Sequence, residues 1–287
     1  MLSGSKLKYF GWSSFAIESP SGNLLFDPLC RPMYGARWSD IHDFSKAKVI
    51  CVTHGHFDHY VDVPPVLKET EAVVVASQEI CSHLNSRYKV KKERLFPIKP
   101  FQEVCISGYK ITAFEWQHRE FNFSKMIRAD LAASFRFIYR HLFKASCEQL
   151  RENLFSSFNF AWLNLLQAPF HAPYFGFYVE GPDNIRLMNY CEGFSAKMKI
   201  EETRELGRRF RPEIVLAGMQ LDFEKELSEG VAALSPKTVV LFPPHEAIFE
   251  KVGLKSSPPQ KFVEEVKRKS PEADIIVAKP QCSFDIP

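Results

Sequence analysis

Thr53-His54-Gly55-His56-Phe57-Asp58-His59 is the stretch that decides how this chain is read. It follows the apolar run Val49-Ile50-Cys51-Val52. Such a run reads as a buried strand, and the glycine and charges after it as a loop at the strand's end. Three imidazoles and a carboxylate are thereby set on a short loop where their lone pairs can converge. Core packing asks for no such concentration of imidazole. Neutral imidazole and carboxylate are the usual ligands of zinc and its first-row neighbours, so the stretch reads as a metal site.

Three further candidates follow strand-like runs downstream. His118 comes after Lys110 to Trp116, Glu192 after Ile185 to Tyr190, and His245 after Thr238 to Phe242. Strand ends are rigid, and several ending at one sheet edge can aim ligands at a common point. His54, His56 and His118 would fill one tetrahedral site and leave a position for water. Asp58, His59 and His245 would make a second, with the Glu192 carboxylate able to bridge the two. Two divalent ions about 3.5–4 Å apart polarise a substrate oxygen and hold hydroxide at neutral pH, which predicts a hydrolase. A lone histidine is more often a hydrogen-bonded core or surface residue, and His83, His141 and His171 keep that reading.

Outward from the site the pattern is mixed. Residues 8–17 and 24–26 form a hairpin around Ser19-Pro20-Ser21-Gly22-Asn23. Residues 72–76 form a buried strand and 77–86 a short helix. Residues 104–106 and 110–116 pair across Gly108, and 175–180 and 185–190 across Gly181-Pro182-Asp183-Asn184. Helices at 200–210, 223–234 and 261–269 then alternate with strands at 214–217, 238–242 and 274–278. Residues 119–178 differ. Apolar residues at Leu131, Phe135, Ile138 and Leu142, then at Leu150, Leu154, Phe158, Trp162 and Leu165, follow helical spacing. The segment reads as a helical hairpin inserted in a single α/β domain spanning 1–287, with α and β layered around one core.

Composition sets the class. The 287 residues are 45% hydrophobic and 25% charged, with a formal net charge of +3. That small excess gives no footprint for nucleic acid, which is not expected as a partner. The seven cysteines are scattered without a C-x-x-C pair, the pattern of a reducing, cytoplasmic setting. No stretch approaches the ~20 uninterrupted apolar residues of a spanning helix.

The signature together with the later His118, Glu192 and His245, in that order, resembles the metallo-β-lactamase superfamily. Gly11-Trp12-Ser13-Ser14-Phe15 and Leu25-Phe26-Asp27-Pro28 are similar to the branch containing L-ascorbate-6-phosphate lactonase and N-acyl-phosphatidylethanolamine phospholipase D. The resemblance implies an αββα four-layer sandwich with a dinuclear site at one edge. It also implies Asp58 and His59 on the second metal, and Asp27 as a supporting residue behind the cluster. One departure is Glu192, where the family usually has aspartate. The extra methylene moves the bridging carboxylate and puts the second metal in question. Flavodiiron oxygen reductases carry glutamate where His56 stands, so the imidazole there favours hydrolysis over iron redox work.

The expected activity is therefore metal-dependent hydrolysis of an ester, lactone or phosphodiester by a metal-bound hydroxide, with Asp58 orienting the nucleophile or taking its proton. The cofactors would be two divalent ions, zinc first, with manganese, iron or nickel compatible. The alternative is a metal-binding or interaction protein of the same fold with weak or lost catalysis. Directly after His118, the Phe-rich insertion could lid the site and favour an apolar or lipid-like small-molecule substrate. It could equally pack on the main domain or form a homo-oligomer interface.

Overall fold

Strands buried on both faces occupy the centre of the molecule, and their uniform apolar runs follow from that position. The computed structural model describes residues 4–30, 40–118, 168–169, 171–243 and 258–286. The strands of the first half are β1 (Lys6–Gly11), β2 (Ser14–Glu18), β3 (Asn23–Phe26), β4 (Ala47–Cys51), β5 (Val73–Ala76) and β6 (Leu95–Pro97). Those that follow are β7 (Glu103–Ile106), β8 (Tyr109–Glu115), β9 (Phe175–Glu180), β10 (Arg186–Asn189), β11 (Ile214–Gly218), β12 (Thr238–Phe242), β13 (Asp274–Val277) and β14 (Cys282–Asp285). Among the described residues they form two seven-stranded sheets, ordered β14-β1-β2-β3-β4-β5-β6 and β13-β12-β11-β10-β9-β8-β7.

The period-two alternation of a strand divides its side chains between two cores. In β4, Val49 and Cys51 pack with Phe15, Phe26, Phe177 and Phe242 between the sheets. Ile50, on the opposite face, packs with residues of α3 (Val63–Glu69) and α4 (Gln78–Tyr88). The second sheet does the same. Val240 and Phe242 face inward, while Val239 and Leu241 meet Leu227, Val231, Phe262 and Val266. Those four belong to α6 (Glu224–Leu234) and α7 (Pro259–Lys269), and α6 packs between α7 and α5 (Ile200–Phe210) on that outer face. Each fully buried Leu, Val or Phe contributes on the order of 1.5–3 kcal/mol. The result is the expected αββα sandwich. No helix among the described residues is long and apolar enough to cross a membrane.

Strand direction explains where the site lies. β3, β4 and β5 run parallel, so their C-terminal ends share one edge. β8 and β10 flank β9, each antiparallel to it, and therefore finish at a common edge too. A hydrogen bond from Phe175 N to Thr53 O, 2.7 Å, ties the two edges together.

Three expectations need correction. The run 8–17 is two strands, because Gly11 (φ +128) and Trp12 (φ +54) turn the chain and the β1–β2 register shifts there. Asp58 and His59 sit not on a loop but in the one-turn helix α2 (Phe57–Tyr60). The range 119–178 runs past its own end, since β9 already starts at Phe175. The amphipathic repeats expected of that insertion lie outside the described residues.

Candidate metal centre

The β4 strand delivers Thr53 and His54 to the shared edge, and both are fully buried. His54 Nδ1 lies 3.0 Å from Thr53 Oγ1. Its Nε2 is buried with no hydrogen-bond partner among the described residues. An unsatisfied buried ring nitrogen costs free energy unless something ligates it. His56 is the residue preceding α2, in extended conformation (φ −67, ψ 147), which swings its ring back over His54 at 4.5 Å between centroids. His118, three residues past β8, brings its ring to 4.7 Å from His56 and 5.5 Å from His54. One ligand atom from each of His54, His56 and His118 falls within 4.8 Å of the others.

His59 is on the other side of His54, with ring centroids 4.0 Å apart. Its Nδ1 is held by Asp27 Oδ2 at 2.8 Å. Asp27, turned into the left-handed region (φ +43) just past β3, also accepts from Thr53 N at 2.7 Å and Thr53 Oγ1 at 2.6 Å. That carboxylate fixes the ring so that Nε2 faces the cluster, the arrangement by which a supporting carboxylate orients a ligating imidazole. Asp58 Oδ2 lies 3.7 Å from His59 Nε2 and accepts from the Trp12 indole Nε1 at 2.8 Å. Glu192 is buried beside both groups. Its Oε2 is 3.7 Å from His118 Nε2 and its Oε1 is 3.9 Å from His59 Nε2. One carboxylate thus spans the two imidazole groups, and the longer side chain does not carry it away from either.

Electrostatics follow from burial. Desolvation, then the neighbouring imidazoles, lower the pKa of His54. The same causes push His56 down to about 3. Both rings are neutral at pH 7 and present lone pairs. His59 is opposite in sign. Burial disfavours its charge, but the Asp27 and Asp58 carboxylates outweigh burial and raise its pKa well above the usual value. Burial also raises the Asp58 pKa against the opposing pull of His59 and of its hydrogen bonds. A cationic imidazole among carboxylates, next to two neutral imidazoles, is an environment a divalent cation would take over from the proton.

Of the expected ligands, the structure gathers His54, His56, Asp58, His59, His118 and Glu192 at one edge; His245 lies outside the described residues. His83 is a structural residue, with Nδ1 2.7 Å from the Tyr60 hydroxyl. Three contributors were not anticipated from the sequence. Cys191, buried, forms with His54 and His59 a second group whose ligand atoms lie within 4.8 Å of one another, and its Sγ is 3.7 Å from Thr53 Oγ1. The Tyr174 hydroxyl is 3.4 Å from His56 Nε2. Trp12 reaches Asp58 only because the chain turns between β1 and β2.

With the edge, the imidazole groups and the spanning carboxylate in place, the comparisons agree. Residues 11–124 match the model of the metallo-β-lactamase superfamily. The match takes in the signature, Asp27 and His118. Curated relatives include a UPF0173 metal-dependent hydrolase of Rubrobacter xylanophilus, 35% identical over 115 residues, which are 39% of this chain and 45% of that protein. The alignment thus takes in about half the length of the curated relatives. The likeness to solved structures extends over the whole chain. Igni18, a metallo hydrolase from Ignicoccus hospitalis, superposes with a TM-score of 0.67 at 16% identity, covering 99% of both chains. CmlA, a diiron β-hydroxylase from Streptomyces venezuelae, superposes with a TM-score of 0.62 at 9% identity, covering all of this chain and 55% of that one. Chains of similar fold therefore host more than one metal chemistry, and the donor set has to discriminate between them.

Proposed function

We propose that this chain is a metal-dependent hydrolase. The observation that carries the reading is the pair of converging donor groups, His54/His56/His118 and Asp58/His59, with the Glu192 carboxylate spanning them. The donor set fits divalent metal ions. The buried Nε2 of His54 has no partner among the described residues, and Asp27 holds His59 Nδ1 so that Nε2 points inward. His245, which the sequence order adds to the second group, and Cys191 complete the candidates. Imidazole and carboxylate together favour zinc, with manganese, iron and nickel compatible. When bound, such ions supply Lewis acidity and lower the pKa of water to about 7.

The chain's own residues then have separate tasks. His54, His56 and His118 bind through neutral rings. Glu192 holds the two groups at a fixed separation, and Asp27 orients His59 through Nδ1. Asp58, held by the Trp12 indole at 2.8 Å, would take the proton of the attacking water on its carboxylate and return it to the leaving group. Trp116 and Tyr174 wall the cluster against bulk water, with ring centroids 5.7 and 5.2 Å from that of His54. The bond cleaved is an ester, lactone or phosphodiester.

Metal analysis by mass spectrometry of protein purified without added metal is the test. About two equivalents of zinc or manganese, with loss of both metal and esterase, lactonase or phosphodiesterase turnover in His56→Ala, is the expected result. Full metal and full activity in His56→Ala would falsify the assignment. Metal binding with no hydrolysis across that panel would favour a binding protein on the same fold.

A further inference from the structure

Cys191 is fully buried and stands directly before Glu192. A buried thiol is ordinarily a small apolar filler, but the backbone here is not that of a filler. The φ of Cys191 is +53, in the left-handed region that glycine adopts freely and other residues adopt at a cost. Such strain persists only where the surroundings hold it, and it gathers at ligand clamps. Three hydrogen bonds hold it here. Cys191 N donates to Asn189 Oδ1 at 2.9 Å, and Cys191 O accepts from Gly218 N at 2.9 Å. Glu192 O accepts from the buried Gln220 Nε2 at 2.5 Å. The segments that follow β10 and β11 thus fix the thiol and the spanning carboxylate together.

The place where the thiol is fixed is a donor cluster. Among the described residues Cys191 is the one cysteine that joins a group of three metal-type donors, with one ligand atom each from His54, His59 and Cys191 within 4.8 Å of the others. A second observation points the same way. His54, in the same group, has its buried Nε2 without a hydrogen-bond partner among the described residues. The Thr53 hydroxyl, 3.7 Å from Sγ, already donates to Asp27 Oδ2 at 2.6 Å, so toward the sulfur it can only accept over a long distance. Imidazole with thiolate is a donor set of zinc. Manganese suits oxygen donors, whereas thiolate selects softer ions.

We propose that Cys191 is a metal ligand, a sulfur donor on the His59 side of the centre, and that it selects zinc over manganese. The inference rests on the reading of this edge as a metal centre and deepens it by naming the donor that chooses the ion. On binding, the Sγ–H bond breaks, the proton leaves to solvent, and the thiolate electron pair forms the bond to the ion. No oxidant or reductant takes part.

The test uses the full chain, stripped of metal under reducing conditions and titrated with cobalt(II). Cobalt–thiolate complexes show a near-ultraviolet charge-transfer band that imidazole and carboxylate complexes lack. The band is expected in the unaltered chain, lost in Cys191→Ser, and kept in Cys105→Ser, which removes an exposed thiol. Cys191→Gly suits the left-handed backbone and should therefore fold, taking up cobalt through nitrogen and oxygen without the band. In that variant the ratio of zinc to manganese affinity should fall by at least the ~10-fold that loss of a supporting residue costs. Cobalt bound to the unaltered chain without the band, a band that persists in Cys191→Gly, or an unchanged zinc-to-manganese ratio would each overturn the proposal. A Cys191-dependent band in protein that, loaded with zinc, hydrolyses no ester, lactone or phosphodiester would leave the sulfur ligand standing and remove the hydrolase reading. Hydrolytic turnover in a chain that shows no such band would do the reverse.

Discussion

Asp27 lies 26 residues before Thr53 in the chain, yet its carboxylate closes onto Thr53 N, Thr53 Oγ1 and His59 Nδ1 at once. Replacing it by asparagine keeps the size and removes the charge that orients His59. Loss of such a supporting carboxylate costs about 10–100-fold in metal affinity, so Asp27→Asn is expected to bind metal that much more weakly in a competition titration. The same residue shapes the pH response of metal-free protein. His59, with a raised pKa, contributes stability that is fully present below the unfolded value of about 6.5 and is lost as pH rises through the folded one. His54 and His56, with lowered values, contribute stability that is full above about 6.5 and is lost as pH falls, toward about 3 for His56. Chelated protein should therefore show its highest Tm near pH 6.5 (about the unfolded imidazole value), and Asp27→Asn should flatten the alkaline limb. A Tm that climbs steadily from pH 6 to 9 would contradict the assignment. The histidines and Asp58 were legible because their spacing has no packing explanation. Trp12 and Tyr174 were not, since an aromatic residue near an apolar run looks like core until the chain's path brings its polar atom to a ligand.

At the level of elements, the loop from β4 into α2 is held by close backbone contact. A Cβ at Gly55 would lie 1.9 Å from the carbonyl oxygen of Pro169, which cannot move aside as a flexible side-chain tip would. Gly55→Ala should destabilise the chain by about 1–3 kcal/mol, the range for overpacking, and should release metal more readily, because the added methyl pushes the loop carrying His54 and His56 away from Pro169. Calorimetry and dissociation of bound zinc to a chelating dye would read the two effects. Elements with strong periodicity were legible to the residue: the helix expected at 200–210 and the strand expected at 238–242 have those bounds. α2 was not. It is a single turn whose four residues are largely spent on chemistry, so no apolar stripe announces it. β6 escaped because it has three residues and none is buried.

Across the whole molecule, β14 is the strand that sequence reading missed and the architecture relies on. Its four residues alternate half-buried and exposed, too short a pattern to stand out. After β13 the chain leaves one sheet and joins the other, where Lys6 pairs with Asp285 and Tyr9 with Cys282. The turn between the sheets is pinned by Gln281 N on Tyr9 O at 2.7 Å. Removing residues 280–287 would leave β1 as an open edge, which invites pairing with another chain. The truncated protein is expected to melt several degrees lower and to self-associate on size-exclusion chromatography, while the unaltered chain keeps its elution volume. Retention of both Tm and elution volume would show that β14 is dispensable. What could be read in advance was the layered α/β class and the edge carrying the ligands, because both follow from buried parallel strands. How the sheets are closed depends on a contact between distant parts of the chain, and no local pattern encodes that.

The β1–β14 pairing also sets an order of events during synthesis. Residues 4–118, with Asp27 and five of the proposed ligands, leave the ribosome long before residues 282–285 do. Until residues 282–285 appear, β1 has β2 on one side and lacks β14 on the other, so the nascent chain carries most of the proposed ligands on a sheet that is still unsealed.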